Sequence, residues 1–140
     1  MKNLEPEIYQ YDTEIEVTHK LNTIELDYWI GHLKYVKKEM INLIGICNKD
    51  LDKDFDDEGL LQKLQKKYIE SETLLNALLK YKDSRESILE CEDAQCDMDF
   101  VVEHENYRRS YLYHLDKYRR LKYNFFQKAK DRFTLLNKIA

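Results

Sequence analysis

The sequence predicts an all-α protein of three long antiparallel helices, running up-down-up as a bundle or short coiled coil. Three observations carry that expectation. Apolar side chains recur at a helical beat for nearly the whole chain. Three Gly and one Pro among 140 residues leave little material for the turns of a many-stranded fold. Charged residues make up 36% and apolar ones 43%, the balance of helices with one buried stripe and a solvated back. A chain of this length is the usual size of a single domain.

Residues 1–12 are polar and without periodicity, so a flexible N-terminal segment is expected, with a single helical domain over 13–140. Thr13 and Glu16 then stand in the spacing of a capping box, which opens a first helix over about 13–48. Its seam reads Ile15, His19, Asn22, Leu26, Trp29, Leu33, Val36, Met40, Leu43, Cys47, with steps alternating four and three, a sustained heptad repeat. Ile30 and Ile44 widen the stripe. His19 and Asn22 are polar members of this seam, expected because the helix end emerges from the core there.

An acidic connector, KDLDKDFDDE, leads to a second helix over about 58–91. Its line is Leu61, Leu64, Tyr68, Ser71, Leu75, Leu78, weakening through Lys82 and Arg85. Asp83 and Ser84 both favour capping positions, so a break in this helix is admitted there. A second acidic connector, ECEDAQCDMD, precedes a third helix over about 98–138. That helix carries two adjacent stripes, one through Met98, Leu112, Leu115 and Phe126, the other through His104, Tyr107, Tyr111, His114, Tyr118 and Phe125. Both obey helical spacing, so a broad buried face is expected. Short connectors place consecutive helices antiparallel.

Chemistry is mostly absent. Starting at Asp50, the first connector supplies three alternate Asp residues of a calcium loop. It has Phe55 where the sharp turn needs Gly and Leu61 where the bidentate Glu belongs, so calcium binding is not expected. Glu16-x-x-His19 is one half of a carboxylate-bundle metal motif without its counterpart. His104 and His114 are a helical run of ~15 Å apart, too far to hold one ion, and are expected to be hydrogen-bonded among tyrosines. Cys91, Cys96 and His104 do not have zinc-ligand spacing. No nucleophile elbow, phosphate-cradling loop or dinucleotide fingerprint is present. No enzyme activity and no cofactor is expected. The three cysteines lack a disulfide framework, which points to free thiols and a cytoplasmic setting. Neither a secretory signal nor a membrane span is expected.

Two surfaces suggest partners. The first helix carries a second apolar line through Val17, Leu21, Ile24, Tyr28, Gly31 and Tyr35, pointing away from the seam. Glycine inside a helix costs ~1 kcal/mol relative to alanine, which makes sense where another backbone approaches closely. Leu21, Ile24, Tyr28, Gly31 and Tyr35 are therefore the candidate protein interface, with a homodimer expected and a non-enzymatic interaction or scaffold module as the functional reading. The alternative is nucleic-acid binding by the third helix. Residues 107–140 hold ten Lys or Arg against Asp116 and Asp131, whereas the whole chain, with 23 basic and 27 acidic residues, is net −4. Arg108, Arg109, Arg119, Arg120 and Lys122 interleave with tyrosines, as phosphate contact and base stacking require. A metal-binding bundle with ligands from separate helices is the second alternative.

Overall fold

The structure is a computed structural model and describes residues 6–49 and 59–139. Among these residues it is all-α, with three long helices: α1 (Glu14–Lys49), α2 (Leu60–Ser84) and α3 (Ala94–Ile139). A 3-10 helix, Arg85–Glu90, continues α2. The calcium-loop comparison, and most of the first acidic connector, fall outside the described residues. No helix among the described residues is long and apolar enough to cross a membrane.

Local chemistry sets the helix starts. The Glu16 amide donates to Thr13 Oγ1 at 3.3 Å, and the Thr13 amide donates back to Glu16 Oε1 at 3.1 Å, the reciprocal capping box. Ahead of it, residues 9–12 form a turn in which the Tyr9 amide donates to Asp12 Oδ2, itself paired with Lys20 at 2.8 Å. At α3 the helix begins at Ala94, four residues before the expected start. Asp93 caps it by accepting the Cys96 amide at 2.8 Å, so the second acidic stretch is mostly first-turn helix rather than connector. Acidic side chains suit the positive end of a helix dipole, which is why most of that stretch folds as helix rather than as loop.

Cys91 and Cys96 are joined by a disulfide. This corrects the expectation of free thiols and takes away the cysteine argument for a reducing compartment. The bond straddles the short passage from the 3-10 helix into α3, closing a loop too small for a disulfide-framework pattern to announce. Cys47 is buried on the α1 seam.

The chain divides into two compact units, and each long helix contributes a segment to both. The first comprises Met1–Lys34 and Leu74–Tyr111. Its core holds Leu26, Trp29, Ile30, Leu33, Leu75, Leu78, Tyr81 and Tyr111. Glu25 with His104 and His32 with Tyr111 are each separated by 79 residues, so α1 and α3 run parallel here in a fixed heptad register. Lys82 meets Asp27 and Arg85 meets Thr23, numbers that fall as the others rise, so α2 runs the opposite way. The second unit comprises Tyr35–Thr73 and Leu112–Ala140. Val36, Met40, Leu43, Leu60, Leu64, Leu115, Tyr118 and Phe125 form its core, and Glu39 with Tyr118 repeats the separation of 79.

The α1 seam is buried from Leu26 to Cys47 at every step of four and three. His19 is buried as well, which corrects the expectation that this end emerges from the core. Its Nε2 lies 2.9 Å from Asp97, and its carbonyl accepts from Arg85. On α3 one stripe is mostly buried and the other mostly not, Leu115 being its buried member. His104, Tyr111, His114, Tyr118 and Phe125 face inward, whereas Met98, Leu112 and Phe126 of the other stripe are exposed, so the buried face is narrower than the pattern suggests.

Candidate functional site

Among the described residues the outward line of α1 is mostly uncovered. In the first unit Leu21 is 51% and Tyr28 69% exposed, with Ile24 half-buried between them. Gly31, one turn on, is exposed, and a Cβ built there meets nothing within 4 Å. Tyr35, the first residue of the second unit, is 62% exposed. The four-and-three spacing of this line is that of a second heptad seam on the same helix. Charges beside it are already satisfied: Lys20 by Asp12, Asp27 by Lys82 and Glu25 by Arg108.

Behind that face the first unit holds a directed chain of polar groups. Arg85, buried where α2 tightens into the 3-10 helix, donates to the Tyr81 hydroxyl, the His19 carbonyl and Thr23 Oγ1, each at 2.8 Å. Tyr81 Oη lies 2.6 Å from His104 Nδ1, and His104 Nε2 lies 2.8 Å from Glu25 Oε1. Carboxylate only accepts, so His104 Nε2 carries the proton and Nδ1 accepts from Tyr81. Arg108 closes the chain on Glu25 through two donors. Trp29 stacks on the His104 ring with centroids 4.8 Å apart, and Tyr107 stacks on Tyr81 at 4.3 Å.

Burial holds the His104 imidazole below its usual range; Glu25 pulls the other way, and Arg85 and Arg108 side with burial. Burial pushes the Tyr81 phenol up to about 12. For Glu25, burial by itself would raise the carboxyl, but hydrogen bonds from Arg108 and His104 outweigh it and hold it below the usual value. The chain is therefore neutral at its histidine and charged at its ends. Each of Tyr81, His104, Glu25 and Arg108 is hydrogen-bonded to another member of the network, while among the described residues the buried Arg85 Nε has no hydrogen-bond partner. His114, the other buried α3 histidine, pairs with Ser71 Oγ at 2.6 Å rather than with a tyrosine. Among the described residues no group of three or more His, Cys, Asp or Glu is placed to hold a metal ion.

The five basic candidates of α3 have different fates. Arg108 is spent on Glu25 and Glu105, and Arg109 reaches Glu105 at 3.9 Å. Arg120 pairs with Asp116 at 3.2 Å and Lys122 with Glu39 at 2.9 Å, while Arg119 is exposed. A different cationic grouping escaped the sequence reading. In the second unit, Lys63, Lys66 and Lys67 of α2 and Lys117 and Arg120 of α3 line one cleft of about 320 Å³. The signal was available in Lys63, Lys66 and Lys67, which share a helix face by their spacing of three and four. Arg85, too, stood on the α2 core line, where a charge implies buried partners.

No family model, curated protein or solved structure matches the chain.

Proposed function

We propose that the protein is a non-enzymatic interaction module that pairs with a second copy of itself through the outer face of α1. The observation that carries this reading is the line Leu21, Ile24, Tyr28 and Gly31, exposed except for the half-buried Ile24 and continued by the exposed Tyr35, repeating at heptad spacing on a helix whose opposite seam is already buried. A heptad line is complementary to another helix bearing the same spacing, and two-fold pairing lets one patch serve both partners. Covering it removes large aromatic area from water. It disturbs few charges, because Lys20, Glu25 and Asp27 beside it keep their partners within the chain. Gly31 fits the same reading, since among the described residues nothing lies within 4 Å of a Cβ built there.

Sedimentation equilibrium tests the proposal. The purified chain is expected as a dimer at tens of micromolar, and Tyr28→Glu with Leu21→Glu is expected to give a monomer with an unchanged helical circular-dichroism spectrum. A wild-type monomer under those conditions would end it.

A further inference from the structure

The cleft in the second unit has a composition that self-association through α1 does not use. Its lining comprises Lys63, Lys66, Lys67, Glu70, Tyr113, Lys117, Arg120, Leu121 and Asn124, five cations to one carboxylate. The single carboxylate is committed to Lys67 at 3.0 Å. Arg120 shares Asp116, and the Lys117 ammonium rests over the Tyr113 ring at 5.2 Å from its centroid. Neither Lys63 nor Lys66 is in a close ion pair among the described residues, although Lys66 acts on Glu70 at longer range. Cations on two facing helices repel one another, and that repulsion is relieved by an anion that all of them reach. Four of the five are lysines, which meet phosphate oxygens as mobile point charges rather than in a fixed planar fork.

We propose that this cleft binds a small polyphosphate, meaning an anion with two or more linked phosphoryl groups. The charge excess exceeds what a single phosphate neutralises, which favours linked phosphates over orthophosphate. The volume stands at the small end of the range for ligand pockets, which favours a compact anion over a polymer. Inorganic tripolyphosphate and a nucleoside triphosphate share this chemistry. They differ in a base, for which the exposed Tyr113 ring at the rim is a stacking surface.

Isothermal titration calorimetry of the full chain at low ionic strength decides the matter. The probes are inorganic tripolyphosphate, adenosine triphosphate, orthophosphate and a short single-stranded oligonucleotide. Tripolyphosphate is expected to bind at least about tenfold more tightly than orthophosphate, and to weaken steeply with added salt. An equal affinity for adenosine triphosphate would make the phosphates the whole determinant; a tighter one would add the base. Lys66→Gln combined with Lys117→Gln is expected to weaken tripolyphosphate at least about tenfold, while Arg119→Gln, outside the cleft, changes it by less than about twofold. Lys63→Gln, at an exposed position, serves in the same role if the double variant loses its helical spectrum. Absence of binding, an equal loss in Arg119→Gln, or displacement of tripolyphosphate by a tighter oligonucleotide would overturn the assignment.

Discussion

The Tyr81 hydroxyl donates to Nδ1 of His104 at 2.6 Å, a direction that the Glu25 carboxylate imposes through the His104 ring. Because Tyr81 gives its proton to His104, its oxygen is left to accept from Arg85. Because Nδ1 accepts, Nε2 must donate, and Glu25 is the group that receives. A doubly protonated His104 would present a donor to a hydroxyl already receiving one from Arg85, leaving the Tyr81 proton without an acceptor. Burial and geometry thus favour the same neutral ring.

This arrangement predicts how stability depends on pH. His104 and His114 both have folded pKa values below the ordinary 6.5, for which burial is the first cause. A histidine of that kind binds fewer protons folded than unfolded, so stability is full above about pH 7.5. It declines as pH falls through 6.5, until the folded ring itself takes up a proton. Each such histidine contributes a slope of at most ~1.4 kcal/mol per pH unit in that window. Urea unfolding between pH 8 and 5.5 is expected to show the fall, and nitrogen NMR shifts to show the neutral His104 ring at pH 8 as the Nε2-protonated tautomer. An Nδ1-protonated ring at pH 8 would refute the assignment.

Tyr81→Phe is expected to cost about 1–3 kcal/mol, because it leaves His104 Nδ1 and an Arg85 donor without their buried partner. The exposed Tyr123 supplies the comparison: Tyr123→Phe should leave the unfolding midpoint where it is. Equal effects of the two substitutions would mean that the chain contributes nothing to stability beyond ring packing.

The parts of this fold that could be read in the sequence are those written on one helix. The α1 seam is legible because each member's neighbour is three or four positions away, and the Thr13–Glu16 box because both partners lie within one turn. The Tyr81–His104 bond depends on the register between α2 and α3, which periodicity does not specify; a shift of one turn would pair different residues. The early start of α3 was hidden because Asp and Glu serve equally as loop residues and as first-turn residues. Of the candidate interface, exposure of the α1 line could be inferred from heptad position. Of the cationic cleft, the α2 side was legible in the spacing of Lys63, Lys66 and Lys67, but the cleft itself was not, because it takes α2 and α3 together to make it.

Removing the Cys91–Cys96 bond by Cys91→Ser with Cys96→Ser is expected to lower stability by about 2 kcal/mol, the chain-entropy value for so short a loop. The bond holds the start of α3, from which Asp97 reaches His19 at 2.9 Å. Local opening should therefore appear as faster amide exchange in the first turns of α3, with residues 111–125 unaffected. An unchanged midpoint on adding reductant to the wild-type protein would show that helix packing alone holds this junction.

Gly31 and Gly45 form a matched pair for testing the α1 face, since each lies inside α1 and a Cβ at either would meet nothing within 4 Å. Helix propensity therefore predicts that Gly31→Ala and Gly45→Ala each stabilise the isolated chain, by up to ~1 kcal/mol. Their effects on self-association should differ. A methyl group at Gly31 stands within the proposed contact line and pushes a close-packed partner helix away, whereas Gly45, two heptads on along the same face, lies ~15 Å beyond Tyr35, past the end of that line. Sedimentation equilibrium is thus expected to show a weaker dimer for Gly31→Ala and an unaltered one for Gly45→Ala, although both variants unfold at higher urea when measured as monomers. If the two substitutions left the dimer equally strong, close backbone approach at Gly31 would have to be given up.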